Sequence, residues 1–147
     1  MNPRAASKPT EDKLTADHWF NLGVELEAVA PDDARAAYEA SLHLDPAPDT
    51  RVNLGRLLHE AGRPAEAESQ YRQVLAVREH ALAAYNLGVL LEDSGRDTDA
   101  IHAYARAIAA DPSLAEAHYN LARLYEQRGD QRAAIRHFNG YRALVRP

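Results

Sequence analysis

The chain has 147 residues, of which 46% are apolar and 27% charged, with a formal net charge of -5 and no cysteine. That composition suits a soluble chain able to bury a core, and it argues against global disorder. It also excludes disulfides, thiolate chemistry and cysteine-ligated zinc, and it argues against a nucleic-acid backbone as the direct ligand.

Residues 1–13 carry three basic and two acidic residues among Ala, Pro and Ser. They contain no apolar h-region, so they read as a disordered tail and not as a secretory signal. No later run is long and apolar enough to span a membrane. The expected setting is cytoplasmic, without membrane association.

From residue 14 onward the chain repeats. Asn21-Leu22-Gly23 opens a series that continues with Asn53-Leu54-Gly55, Asn86-Leu87-Gly88 and Asn120-Leu121-Ala122. The spacings of 32, 33 and 34 residues mark a repeat architecture. A second signal follows in every copy. Ala34, Ala67, Ala100 and Ala134 each precede an aromatic by four residues, namely Tyr38, Tyr71, Tyr104 and Phe138.

Each copy divides into two helical stretches. First helices are expected near 16–29, 48–61, 81–94 and 114–128, and second helices near 32–44, 64–77, 97–110 and 130–145. Leu54, Leu57, Leu58 and Ala61 form an i, i+3, i+4, i+7 apolar stripe. Gly62, Gly95 and Gly129 follow first helices, where a left-handed residue is wanted. Pro31 and Pro64 suit the opening turn of a second helix, and Asp97 and Asp130 suit its N-cap. Leu42, Leu75 and Ile108 share one second-helix position, which Arg142 occupies in the last copy. A polar residue there suits a terminal unit. Gly140 should weaken that last helix by roughly 0.5–1 kcal/mol relative to Ala.

These features resemble the tetratricopeptide repeat, W-x2-L-G-x2-Y, then A-x3-F, then P. The third unit shows it in Leu87, Gly88, Leu91, Ala100, Tyr104, Ala107 and Pro112. The first shows it in Trp19, Leu22, Gly23, Leu26, Ala34, Tyr38 and Pro46. Arg51 in the second unit and His118 in the fourth stand where the large aromatic belongs. The resemblance implies an all-α solenoid of antiparallel helix pairs, a right-handed superhelix of about eight helices. It divides residues 14–147 into repeats at approximately 16–47, 48–80, 81–114 and 115–147. The expected core includes Trp19 and the four aromatics, which would fill the space between units.

The same resemblance implies a concave face built from the first helices. Asn21, Asn53, Asn86 and Asn120 would stack along it as a ladder. An amide offers one donor and one acceptor, so each rung can pair with a peptide unit of an extended chain. The competing reading is that these amides bond neighbouring helices. Phe20, Tyr85 and Tyr119 are candidate aromatic anchors. Arg56 and Arg123 either grip acidic groups of a partner or pair with Glu60, Glu92 or Glu126. The Lys and Arg set with which some family members hold a C-terminal carboxylate is absent, since Phe20, Val24, Leu82 and Asn86 occupy four of its five positions.

No catalytic frame, phosphate loop or metal-ligand spacing is present, and the seven histidines form no H-x3-H or H-E-x2-H pattern. The expectation is a non-enzymatic scaffold, without cofactor or metal, that binds a protein or peptide partner. It would be a monomer or a weak homo-oligomer through its terminal helices. Two alternatives stay open. One is a docking or sensing module associated with a transcriptional regulator. The other is a self-assembling structural repeat.

Overall fold

The computed structural model describes residues 14–147. The tail expected at 1–13 lies outside them. Eight helices follow one another: α1 Ala16–Leu26, α2 Pro31–Leu44, α3 Pro48–Glu60, α4 Pro64–Val77, α5 Ala81–Asp93, α6 Asp97–Ala110, α7 Ala115–Gln127 and α8 Gln131–Val145. No strand occurs among the described residues. Helices pack most closely in consecutive pairs, α1 with α2 through α7 with α8. Each pair then packs on the next through α2–α3, α4–α5 and α6–α7, with α3 also meeting α5. The architecture is an α-solenoid.

Local chemistry sets the ends of the helices. Pro31, Pro48 and Pro64 each occupy a first helical position, where the missing N–H leaves nothing unpaired. Thr15 caps α1 in a reciprocal box with His18, and Asp130 caps α8 by accepting from the Ala133 N–H. His80 plays that part for α5, accepting from the Ala83 N–H at 3.1 Å. Asp97 is not an N-cap. Arg96 holds that place and Asp97 is the first helical residue, where a negative charge favours the helix dipole. Three turns close on glycine in the left-handed region, Gly62, Gly95 and Gly129, with φ of 76°, 75° and 79°. The first pair lacks such a glycine, and Pro31 starts α2 early. As a result α1 ends at Leu26, short of the expected 29.

The core is a row of tyrosines laid on glycines. Tyr38, Tyr71 and Tyr104 are fully buried. A Cβ added to Gly23, Gly55 or Gly88 would stand 2.5–2.6 Å from the ring of Tyr38, Tyr71 or Tyr104 respectively. Each ring thus lies against the glycine of its own helix pair, while the Tyr104 hydroxyl also reaches Asn120 of the next unit. Leu54, Leu57, Leu58, Leu87, Leu90, Leu91, Leu121 and Leu124 surround this row, whereas Ala61 is exposed and the apolar stripe of α3 stops before it. Trp19 is only half-buried and does not join the core. His118, in the fourth aromatic position, packs its ring over Gly140. A Cβ there would lie 2.9 Å from the imidazole Nδ1, so the helix-propensity cost of this glycine is set against close packing.

Ion pairs stitch the second helices together. Glu68 on α4 lies between Arg72 at 2.8 Å and Arg96 at 2.9 Å, so it joins α4 to the start of α6. Arg106 reaches back to Glu79 at 2.9 Å and to the Leu75 carbonyl. Burial alone would raise the Glu68 pKa, but hydrogen bonds from Arg72 and Arg96 outweigh it and hold the carboxyl below its ordinary value of 4.5. A depressed folded-state value adds stability above the unfolded value, and that stability is lost as pH falls through the folded one. Glu68→Gln is therefore expected to cost about 0.5–1 kcal/mol at neutral pH and almost nothing near pH ~2. Urea unfolding of both proteins at the two pH values checks this. An equal gap at both would show that the charge of Glu68 is irrelevant.

Candidate functional site

The first helices α1, α3, α5 and α7 share one side of the solenoid, and the Asn-bearing positions lie on it. Two cavities sit there end to end. One, of about 340 Å³, is lined by Arg56, His59, Glu60, Tyr71, Tyr85, Asn86 and Val89. The next, of about 270 Å³, is lined by Tyr85, Glu116, Tyr119, Asn120 and Tyr141. Tyr85 borders both, so the two stand as neighbours in one row, a segmented trough from α3 to α8.

The four asparagines are not equivalent. Asn120 donates from Nδ2 to the hydroxyls of Tyr85 at 3.3 Å and Tyr104 at 3.4 Å. Asn53 stands in the matching place beside the Tyr38 hydroxyl. Asn21 is exposed and lines neither cavity. Asn86 lines the first of the two cavities, and its side chain makes no hydrogen bond to another described residue. The four rungs thus differ: Asn120 bonds two tyrosines, Asn53 stands beside one, Asn86 lines a cavity and Asn21 is exposed.

Both arginines are engaged within the chain. Arg56 meets the Glu27 carboxylate with Nη2 at 2.8 and 2.7 Å, and it reaches Glu60 at 3.4 Å. Arg123 meets Glu92. Glu27 in turn accepts from the Tyr38 hydroxyl, and Glu92 accepts from the Tyr104 hydroxyl at 3.0 Å. The chain therefore carries the same Tyr–Glu–Arg clasp twice, between the first and second units and again between the third and fourth. Burial first, and then the adjacent carboxylate, pushes both tyrosine hydroxyls well above the ordinary range, so they stay protonated donors. The middle junction has no such clasp. Its inner wall holds Val89 where Arg56 and Arg123 stand in the neighbouring units, and His59 where Glu27 and Glu92 stand. His59 instead pairs with Asp93 at 2.9 Å.

The aromatic candidates divide as well. Phe20 packs on Tyr38, with ring centroids 5.9 Å apart, and Tyr85 packs on Tyr104 at 5.7 Å. Both are half-buried against the core. Tyr119 is 44% exposed and open to a ligand. Sequence reasoning passed over Tyr141, which lines the trough from α8. Its signal was available: the corresponding second-helix position is Ser41, Val74 and Ala107 in the other units, so a ring there is unusual. At the start of α3, Arg51 turns to Gln70 at 3.1 Å and lines a separate cleft of about 690 Å³ with Pro46, Pro48 and Val77. No group of three or more potential metal ligands gathers among the described residues.

Among solved structures, a crystal structure of MamA aligns with a TM-score of 0.79 at 22% identity, covering 88% of this chain and 78% of that one. MamA from Desulfovibrio magneticus RS-1, residues 41 to the end, aligns with a TM-score of 0.75 at 21% identity, covering 90% and 76%. MamA of MSR-1 aligns at 0.71 and 23% identity, covering 91% and 79%. These likenesses show the fold. No curated protein matches the sequence. A family model described as "Tetratricopeptide repeat" matches residues 24–76, 52–114 and 93–146. With those matches covering most of the chain, and a buried Tyr-on-Gly pair in each of three successive helical hairpins, the chain belongs to the tetratricopeptide repeat family.

Proposed function

We propose that this protein is a protein-interaction scaffold, without catalytic activity, whose first-helix trough holds an extended segment of a partner polypeptide. The observation that carries this reading is that the two cavities adjoin at Tyr85, with the amide of Asn86 lining one of them and bonded to no other described residue. A trough of this kind suits an extended chain better than a compact small molecule. Its walls alternate apolar and hydrogen-bonding groups, such as Val89, Tyr85 and Asn86, and it is open along its length. An amide that pairs with a peptide unit contributes on the order of 0.5–1.5 kcal/mol, so Asn86 adds register and the aromatic edges add area. Arg56 and Arg123 shape the wall through their glutamates and leave little charge for an acidic partner.

Replacing Asn86 with a photo-crosslinking amino acid tests the reading in the host cell. A discrete crosslinked partner is expected at that position and not at Ala76, which lies on the second-helix side. Equal labelling at both positions, with the helical content unchanged, would remove the trough as the binding face.

A further inference from the structure

The α8 end of the trough has a chemistry of its own. Tyr85 from α5, Tyr119 from α7 and Tyr141 from α8 border one open cavity with Glu116 and Asn120. Packing sets the rings. Tyr85 rests on Tyr104, Tyr119 meets Phe138 edge-on at 6.0 Å, and Tyr141 lies 5.2 Å from Tyr119. The third ring belongs to the last unit alone, since Ser41, Val74 and Ala107 hold its place in the others.

Glu116 is the one charged residue lining this cavity. Glu27, Glu60 and Glu92, by contrast, are each met by an arginine. Glu116 makes no ion pair among the described residues. It stands close enough to the Tyr85 hydroxyl to raise that group's pKa, second only to burial. Asn120 spends its Nδ2 on Tyr85 and Tyr104, which leaves its oxygen as an acceptor. Three tyrosine rings, a carboxylate without a counter-ion and an amide oxygen together favour positive charge. An anion would face the unpaired Glu116 carboxylate. An apolar group would cover the carboxylate without pairing it.

We propose that this cavity is a cation subsite, an aromatic cage that receives the charged end of a lysine or arginine side chain from the segment bound in the trough. The source of the cation rests on the trough reading, but the site itself does not. Free cations therefore test it directly. Protein carrying ring-13C tyrosine is titrated with n-butylammonium chloride, which presents the end of a lysine side chain. Sodium chloride at equal ionic strength and neutral n-butanol serve as controls. Methylguanidinium chloride repeats the measurement for arginine.

Saturable shifts confined to Tyr85, Tyr119 and Tyr141 are expected with the organic cations and not with n-butanol. Glu116→Gln and Tyr119→Leu, both at exposed positions, are expected to weaken binding about five-fold. The proposal is overturned by an absence of saturable shifts, by equal shifts with n-butanol, or by an unchanged affinity in Glu116→Gln. Crosslinking at Asn86 is indifferent to these results, so loss of the cage and loss of the trough are told apart.

Discussion

Gly88→Val is expected to destabilise the protein by about 3 kcal/mol or more, lowering the thermal midpoint by roughly 10 °C. A Cβ at residue 88 would stand 2.6 Å from both Cδ1 and Cε1 of Tyr104. Real side-chain atoms do not approach so closely, and this ring cannot step aside. Tyr104 is fully buried, its hydroxyl is tied to Glu92 and Asn120, and Tyr85 lies against its ring. Relief would require α5 and α6 to separate, which would also loosen the contacts of α4 and α7. The control is Gly95→Ala. Its φ of 75° costs about 1 kcal/mol, but no atom lies within 4 Å of the added carbon, so only backbone strain is felt. A further test restores space, because Tyr104→Leu should recover part of the loss caused by Gly88→Ala. If Gly88→Val melts within 2 °C of the parent by circular dichroism, with ~2 °C the resolution of the comparison, the ring is not the rigid lid described here.

Breaking a clasp should have the next largest effect. Arg123→Met leaves the Glu92 carboxylate facing the Tyr104 hydroxyl alone. The Arg123 and Glu92 side chains are 32% and 20% exposed, so solvent relieves part of the stranded charge. A fully buried pair broken in this way costs about 3–5 kcal/mol, and partial exposure brings the expected cost here to about 1–2 kcal/mol. Removing both partners, as Arg123→Met with Glu92→Leu, should cost less than the sum of the single changes, because no charge is stranded. The expected coupling is about 1 kcal/mol, with a similar value for Arg56 and Glu27 at the other clasp. The i,i+4 pair Arg35–Glu39, longer at 3.8 Å and more exposed, should couple by no more than about 0.5 kcal/mol. Equal coupling in all three cycles would show that the clasps are ordinary surface pairs.

The fold was legible because its determinants recur. A glycine, an alanine and a tyrosine at nearly constant offsets, read three times, leave few alternatives to stacked hairpins, and helix ends follow from Pro31, Pro64 and Gly62. The site was less legible because its logic spans units. Sequence places Asn53, Asn86 and Asn120 at one repeat position and so suggests one role. What separates them is the residue they face in the preceding unit, which a single repeat does not contain. The Arg56–Glu27 pair crosses 29 residues, and its twin, Arg123–Glu92, crosses 31. Glu92 is among the partners the sequence suggests for arginine and Glu27 is not, although both stand six residues after the Asn of their unit. Tyr141 was overlooked because attention stayed on first helices, while the wall of the trough also draws on the last second helix. Trp19 reads as core by residue type, yet no earlier helix lies over it among the described residues, and it remains half-buried.

The two clasps also set how the solenoid is fastened. Residues of the first two units are locked on the inner wall by Glu27 and Arg56, and those of the last two by Glu92 and Arg123. Across the middle, α3 meets α5 directly, His59–Asp93 and His80–Asp49 link the same two units, and Glu68–Arg96 and Glu79–Arg106 join them on the opposite side. Mechanically the coil is riveted at its two ends by arginine clasps and held at its waist by direct packing and smaller contacts. Neutralising one arginine therefore loosens one end of the coil and leaves its waist in place.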